Sequence, residues 1–194
     1  MLLLISGPSG AGKSTFTQAL LESAEDVEFS VSTTTRKIRG GEEEGVQYNF
    51  VDDAEFDDLI AADAFVEYAD VHKFRYGTRK EHIAKMVGAG KIPLLDLDVQ
   101  GGHNVIDIYG DELVSVFIYP PSWEVLEQRL RGRGTDSDEV IQTRMENARW
   151  EISFAEKYDY FILNDDLDKA LVKMKAILIA ERCRRIRHSE FPLK

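Results

Sequence analysis

The chain has 194 residues, of which 43% are hydrophobic and 30% are charged, and its net charge is −11. This composition predicts a single soluble domain, and the negative charge opposes non-specific binding to nucleic acid or anionic membranes. Cys183 is the only cysteine, and the apolar start is too short and lacks the basic flank of a signal or spanning segment, so we expect a cytoplasmic protein without disulfides, nucleic-acid partner or membrane partner.

The first predicted element is a strand, Leu2–Ser6, and a G-x4-G-K-S motif follows it directly. The motif consists of Gly7, Pro8, Ser9, Gly10, Ala11, Gly12, Lys13 and Ser14. Its glycines let successive N–H groups face inward, Lys13 adds a positive charge, and the predicted helix Ser14–Ser23 directs its positive dipole end at the loop. The motif therefore predicts a loop that binds the terminal phosphates of a nucleotide.

Strands and helices alternate along most of the remaining chain, which predicts a mostly parallel sheet covered on both faces. The further strands are expected at Val27–Ser32, Ile92–Asp98, Val114–Tyr119 and Tyr160–Leu163. The further helices are expected at Val99–Ile108, Ser122–Leu130, Ser137–Ala148 and Leu167–Arg187. A basic run ends the last helix, and we interpret it as a solvated helix end rather than as a binding patch.

Two segments interrupt this alternation. Between Thr33 and about Lys85, short strands near residues 46–50 and 65–68 flank an acidic helix, Ala54–Ala62, which predicts an inserted α+β lobe. One face of this helix is expected to be buried through Phe56, Leu59 and Ile60. The second segment, from Glu124 to Phe154, mixes arginines with glycines capable of acting as hinges, which suits a moving lid over phosphates, although a solvated surface turn would look similar.

Six further motifs follow one another along the chain, at Ser32–Glu42, Tyr48–Val51, Tyr76–Thr78, Leu95–Gly101, Arg129–Gly134 and Asn164–Asp166. Together with the phosphate loop, they resemble guanylate kinases over nearly the whole chain. The resemblance implies an α/β fold, a three-layer P-loop kinase with a mostly parallel core sheet, an inserted α+β GMP-binding lobe and a helical lid. The expected parts of this single domain are the core (1–32, 86–123 and 155–194), the GMP-binding lobe (33–85) and the lid (124–154).

The resemblance also implies an activity, the Mg2+-dependent transfer of the γ-phosphoryl group of ATP to GMP or dGMP, giving ADP and GDP or dGDP. It places ATP on the phosphate loop and Thr15, with the catalytic residues Lys13, Arg129, Arg133 and Arg144 around the transferring group. It places the GMP phosphate on Arg36, Arg39, Tyr48 and Tyr76, and the guanine base on Ser32, Glu67 and Thr78. ATP and GMP or dGMP are thus the expected partners, while the sequence indicates no oligomeric state.

The chemistry of the acceptor fits these residue types. A phosphate monoester is already mostly ionised at neutral pH, so it needs no general base. The difficulty is that two anionic groups must meet in line, which calls for positioning and charge neutralisation by arginines and a lysine. A carboxylate such as Glu67 can accept from the N–H groups of guanine, and a site built in this way should reject adenine strongly.

Two carboxylates, Asp96 and Asp98, end a predicted core strand, at the sheet edge where α/β proteins bind ligands. We expect Asp98 to act directly, through a metal-bound water or the guanine amino group, and Asp96 to be structural. Mg2+ takes few protein ligands, so Ser14 is the expected direct one. The four histidines lack metal-ligand spacing.

One segment departs from the family pattern: Lys73, Phe74 and Arg75 precede Tyr76 where guanylate kinases usually have small or amide residues. We expect this departure to add two positive charges beside the acceptor site, with an effect on substrate affinity that the sequence does not define.

Two other functions remain open at this point. A guanylate-kinase-like module can bind phosphorylated peptides without catalysis, but such modules usually have eroded phosphate loops and lids, whereas Lys13, Ser14, Arg129 and Arg133 are present here. A related kinase can act on a sugar phosphate such as ribose 1,5-bisphosphate, but an acceptor without a base has no use for guanine-binding residues.

Overall fold

The structure is a computed structural model, and it describes residues 1–71, 73–132, 134 and 136–188. In this part of the chain, the main sheet consists of five parallel strands, which are β1 (Leu2–Ser6), β2 (Val27–Phe29), β7 (Ile92–Asp96), β8 (Leu113–Tyr119) and β9 (Tyr160–Leu163). They lie in the order β2-β7-β1-β8-β9. Every residue of the central strand β1 is buried, as expected of a strand covered on both faces.

Helices cover both faces of this sheet. On one face lie α1 (Lys13–Ser23) and α7 (Leu167–Arg182), which share a hydrophobic core with Leu3 and Ile5 of β1. On the other face, α3 (Lys80–Gly88) and α4 (Val99–Tyr109) pack against Leu2 and Leu4. The alternation of side chains along β1 thus supplies two separate cores, and the predicted three-layer α/β architecture is confirmed.

A second, four-stranded sheet lies in the segment between β2 and α3, and its strands are β3 (Thr33–Thr34), β4 (Asn49–Phe50), β5 (Phe65–Val71) and β6 (Phe74–Arg79). They lie in the order β4-β3-β6-β5, and helix α2 (Asp53–Ala61) lies between β4 and β5 in the chain. Phe56 of α2 is fully buried and stacks on Phe65, with ring centroids 4.7 Å apart. Helix α2 thus covers one face of this small sheet, and the opposite face is left for other contacts.

The segment after β8 forms two helices, α5 (Trp123–Arg131) and α6 (Asp138–Ile152). Ser122 and Ser137 cap their N-termini with their hydroxyl groups. The two helices share a small core of their own, formed by Leu126, Leu130, Ile141, Met145 and Ala148. None of the described helices is both long and apolar enough to pass through a membrane.

Several predicted elements are shorter in the structure. Strand β2 ends at Phe29 rather than Ser32, and β7 ends at Asp96 rather than Asp98. Asp98 leaves the strand because its carboxylate caps α4, accepting a hydrogen bond from the Gly101 N–H at 2.8 Å. Val46 was expected in a strand, but it lies outside β4 and is exposed.

The basic end of the last helix is largely the solvated end that was expected, since Arg182, Arg184 and Arg185 are exposed, but it has a second role. Helix α7 ends at Arg182, and Arg184 and Arg187 turn back to form ion pairs with Glu181. Glu181 is almost fully buried and also accepts the Tyr160 hydroxyl hydrogen at 2.6 Å. Arg184 and Arg187 therefore also neutralise a buried carboxylate.

Candidate active site

The loop between β1 and α1 has the geometry of an anion-binding loop. Gly7, Gly10 and Gly12 all have positive φ, and a Cβ at Gly7 would lie 2.1 Å from the carbonyl oxygen of Ile118. Helix α1 begins at Lys13, and no side chain caps its N-terminus, so its first N–H groups remain available to an anion. The Lys13 ammonium donates to the Gly7 carbonyl at 2.7 Å, which holds its charge at the mouth of the loop.

Arg129 lies behind the loop. Its guanidinium donates to the carbonyl oxygens of Ala11 and Asn164, at 3.2 and 2.9 Å, and the Asn164 amide donates to the same Ala11 oxygen at 2.8 Å. A cavity of about 410 Å³ opens here, which we call the loop pocket. Its lining residues are Gly10, Gly12, Thr15, Arg129, Asn164, Asp165 and Leu167.

Helices α5 and α6 both contact the loop between β1 and α1. A Cβ at Gly10 would lie 2.9 Å from Leu126 of α5, and Arg144 of α6 donates to the Ser9 hydroxyl at 3.1 Å. Arg144 also pairs with Asp136, at 3.3 Å. The structure thus brings Arg129 and Arg144 to the phosphate loop, whereas the predicted Arg133 lies outside the described residues.

Glu151 is a residue of this region that the sequence analysis missed. It lies on the same face of α6 as Arg144, two turns later, and is half-buried facing the Ser9 backbone N–H. Burial raises the pKa of its carboxyl group, while the nearby Lys13 charge and the Ser9 N–H lower it. Its spacing from Arg144 was the available signal.

A second cavity, of about 280 Å³, lies between the two sheets, and we call it the lobe pocket. It is lined by Ser32, Tyr48, Glu67, Ala69, Tyr76, Asp96, Leu97, Asp98 and Gly101. Five residues predicted to bind one ligand therefore converge on one cavity, although they come from separate parts of the chain: Ser32, Tyr48, Glu67, Tyr76 and Asp98.

Glu67 and Thr78 face each other across β5 and β6 and are both buried. The Thr78 hydroxyl donates to Glu67 Oε1 at 2.6 Å, so it orients the carboxylate and leaves Oε2 for another donor. Burial raises the pKa of Glu67, and the Thr78 hydrogen bond partly offsets this effect. Gly101 leaves room beside the carboxylate, because a Cβ at this position would lie 3.0 Å from Glu67 Oε2.

Arg36 is buried at the rim of this region and is paired with Glu42. Its Nη1 and Nη2 atoms lie 2.9 and 2.6 Å from the two carboxylate oxygens, and its guanidinium lies 5.2 Å from the centre of the Tyr48 ring. The Arg36 charge holds the pKa of Glu42 below its usual range. Glu42 also accepts the Arg39 backbone N–H at 2.8 Å, whereas the Arg39 residue is exposed.

The sequence analysis did not include Glu42 among the site residues, although Glu42 is the last residue of the Ser32–Glu42 motif. It organises both predicted arginines, since one carboxylate binds the Arg36 side chain and the Arg39 backbone.

Asp96, which is expected to be structural, also lines the lobe pocket. Burial raises the pKa of Asp96, and the Lys13 charge lowers it. The described residues contain no group of three or more His, Cys, Asp or Glu side chains suited to a metal ion. The donor set instead fits Mg2+, which keeps most of its waters: the exposed Ser14 hydroxyl follows Lys13, and Asp96 and Asp98 end the neighbouring strand region.

The expectation for Arg75 was wrong. Its guanidinium does not add charge to the lobe pocket, because it lies on the opposite face of the small sheet and pairs with Asp57 of α2 at 2.6 Å. Side chains alternate along β6, so Arg75 and Tyr76 point in opposite directions. Lys73 is exposed.

Comparisons with known proteins agree with this geometry. The sequence model of the family described as guanylate kinase matches residues 1–181. The guanylate kinase of Caldanaerobacter subterraneus subsp. tengcongensis is 44% identical over 194 residues, covering 100% of this chain and 94% of the relative. That of Zymomonas mobilis is 45% identical, covering 96% of this chain and 87% of the relative.

Among solved structures, guanylate kinase from Anaplasma phagocytophilum matches with a TM-score of 0.79 and 35% identity, covering 97% of this chain and 89% of that one. Shikimate kinase from Bacteroides thetaiotaomicron matches with a TM-score of 0.50 and 13% identity, covering 92% and 98%, which shows a shared fold alone. Because the family model spans most of the chain and these relatives align over nearly their whole length, the chain belongs to the guanylate kinase family and is a nucleoside monophosphate kinase.

Proposed function

We propose that the protein transfers the γ-phosphoryl group of Mg–ATP to GMP and dGMP, giving ADP and GDP or dGDP, in cytoplasmic purine nucleotide metabolism. The observation that carries the proposal is the lobe pocket, where a buried carboxylate oriented by Thr78 lies in one cavity with two tyrosines. A pocket with this donor and acceptor set suits a ligand that combines a guanine edge with a phosphate.

ATP would bind along the phosphate loop, with its terminal phosphates against the N-terminus of α1. Lys13 would stabilise the charge that develops during transfer, and Arg129, Arg133 and Arg144 would surround the donor phosphates. Mg2+, when bound, neutralises phosphate charge; Ser14 would hold it directly and Asp98 through water.

GMP would bind in the lobe pocket. The Glu67 carboxylate would accept from the N1–H and the 2-amino group, Ser32 would donate to O6, and Thr78 would keep Glu67 in place. Arg36, Arg39, Tyr48 and Tyr76 would bind the phosphate. This phosphate is already ionised, so these side chains only have to aim it at the γ-phosphorus and offset the repulsion between the two anions.

We further propose that the chain works as three parts: a core (1–32, 86–123 and 155–194), a GMP-binding lobe (33–85) and a lid (124–154). Closure of the lobe and the lid would exclude water and so limit the hydrolysis of ATP.

The test is ADP release from Mg–ATP with GMP, dGMP, AMP, CMP, UMP and ribose 1,5-bisphosphate assayed in parallel. Turnover with GMP and dGMP alone is expected. Turnover restricted to the sugar phosphate would refute the guanine pocket, and no turnover with any acceptor, together with phosphopeptide binding, would favour a binding module instead.

The role of Lys13 is tested by Lys13→Ala. We expect kcat to fall by about 10³-fold or more with the fold intact, because a charge aimed at the transferring group is lost. Lys175→Ala, at an exposed position of α7, is the control and should keep full activity. Near-normal turnover of Lys13→Ala would show that Lys13 does not stabilise the transition state. Circular dichroism of both variants checks that they are folded.

A further inference from the structure

Arg75 joins helix α2 to the reverse face of the small sheet. Its Nη1 atom lies 2.6 Å from Asp57 Oδ1, and its Nη2 atom lies 2.8 Å from the Asp53 carbonyl oxygen and 3.4 Å from Asp53 Oδ1. The guanidinium also lies 4.6 Å from the centre of the Phe56 ring. All three partners are on α2, so one side chain binds a whole face of the helix through a fork of donors and a cation–π contact.

The backbone of Arg75 holds the segment that leads to Arg36. Thr34 donates its hydroxyl hydrogen to the Arg75 carbonyl oxygen at 2.9 Å, and the Thr35 N–H donates to the same oxygen at 3.1 Å. The Arg75 N–H donates to the Thr35 hydroxyl at 3.0 Å. Thr34 in turn accepts the Arg36 N–H at 3.1 Å, so the position of Arg75 is passed on to the backbone of Arg36.

The residue that follows Arg75 points into the lobe pocket. Tyr76 packs edge-on against Tyr48, with ring centroids 5.6 Å apart, and Arg36 lies over the same Tyr48 ring. Arg75 is thus next in the chain to one proposed phosphate-binding side chain and is hydrogen-bonded to the segment that carries another. A shift of β6 against α2 would move Tyr76, and through Thr34 it would move Arg36 as well.

We propose that Arg75 is a positioning residue for the acceptor phosphate, which fixes Tyr76 and Arg36 by fastening β6 to α2. The inference rests on the proposed function, since it assigns those two side chains to the GMP phosphate. The effect is mechanical, because Asp53 and Asp57 neutralise the guanidinium and the side chain lies on the face away from the pocket. This gives a role to one residue that departs from the family pattern.

The test is a comparison of Arg75→Gln and Asp57→Asn with the unmodified protein in steady-state kinetics. Each variant should raise the KM for GMP by about 5- to 10-fold, with kcat and the KM for ATP within about twofold of the original. The double variant should raise the KM for GMP no more than the more affected single variant does, because the two substitutions remove the same contact. Arg75→Lys keeps the charge but loses the forked set of N–H donors, so its KM for GMP should lie between those of the unmodified protein and Arg75→Gln.

The matched control is Lys80→Gln. Lys80 also forms a 2.6 Å ion pair in this lobe, with Asp63, but it lies at the start of α3 and does not adjoin Tyr76. Its KM values should not change. An unchanged KM for GMP in Arg75→Gln, or equal increases for GMP and ATP, would overturn the inference and leave Arg75 an ordinary surface ion pair.

The proposed function can fail separately. If the unmodified protein does not phosphorylate GMP, calorimetry with GMP alone still tests Arg75. Binding that is weaker in Arg75→Gln than in Lys80→Gln would support its positioning role. Equal binding by the two variants, or the absence of GMP binding by the unmodified protein, would overturn it.

Discussion

At the residue scale, the lobe pocket depends on a carboxylate placed where ionisation is unfavourable. Glu67 has about 7% of its surface exposed, and it accepts a hydrogen bond from the Thr78 hydroxyl. Because burial raises this pKa, the buried carboxylate lowers the stability of the fold at pH values above its usual pKa. Such a cost is reasonable at a residue that we propose to accept hydrogen bonds from a ligand.

Glu67→Gln tests this trade-off. The pKa is raised in the folded state, so the carboxylate destabilises the protein as pH rises through that pKa, and we expect the variant to have a higher Tm at neutral pH. We also expect the KM for GMP to rise by about 100-fold and the KM for ATP to change less than about twofold, because the amide presents a donor to guanine donors.

Thermal unfolding across a pH series and kinetics with both substrates measure these effects. The gain in Tm should disappear in acid, where Glu67 is protonated in both states. A lower Tm at every pH would mean that the Thr78 bond outweighs the burial cost, and equal changes for both substrates would argue against base recognition.

Site residues could be predicted where the motif that contains them indicates their chemical role. They were missed where the role depends on a contact with a residue that is distant in sequence. Lys13 could be identified from the loop that contains it. Glu151 was missed although its spacing from Arg144 was a signal, because its neighbour Ser9 lies in another part of the chain and reaches α6 only after folding. Glu42 was within a known motif, but only the structure shows that it binds Arg36.

At the element scale, helix α2 supports the small sheet through one aromatic side chain. Phe56→Ala should remove about 3–5 kcal/mol of stability, since Phe56 is fully buried against Phe65. It should also weaken GMP binding more than ATP binding, because α2 contacts the sheet that lines the lobe pocket. Denaturant unfolding and calorimetry with each nucleotide measure both effects.

Val172→Ala is the control for Phe56→Ala. Val172 is 67% exposed on α7, and its truncation should change stability by no more than about 0.5 kcal/mol. If Phe56→Ala weakened ATP and GMP binding equally, the lobe would not be energetically distinct from the core.

Elements with a simple hydrophobic pattern were predicted closely. Strands β1 and β9 have the expected bounds because short apolar runs are flanked by clear turn residues. Strand β6 was missed, since its sequence FRYGTR mixes charges with a glycine and is stabilised by pairing with β3 and β5. Helix α3 was also missed, although Ile83 and Met86 give it a buried stripe.

At the scale of the whole molecule, the loop pocket and the lobe pocket have different lining residues, and the proposed phosphoryl transfer requires their ligands to meet. We expect small-angle scattering to show a smaller radius of gyration with GMP plus a non-hydrolysable ATP analogue than with either alone. Lys13→Ala, which lacks the proposed contact to the ATP phosphates, is measured in the same way for comparison. An unchanged radius in the ternary complex would contradict closure of the lobe and the lid.

The three-layer core was predictable because alternating strands and helices allow few arrangements. The relation between the phosphate loop and helices α5 and α6 was predictable only in part: the resemblance placed Arg144 around the transferring group, but nothing in the sequence indicated that Leu126 would pack against Gly10. Because of these contacts, helices α5 and α6 already pack against the phosphate loop in the structure.

The contacts of Gly10 and Ser9 imply a thermodynamic difference between the two substrates. The donor site is built from packed elements, whereas the lobe pocket is lined by residues from two sheets, so GMP binding should bury more apolar surface through rearrangement of the protein. Calorimetry over a range of temperatures should then give a more negative heat-capacity change for GMP than for an ATP analogue. The enthalpy of GMP binding would accordingly fall more steeply with temperature than that of ATP binding, so a plot of GMP affinity against temperature would be the more curved of the two.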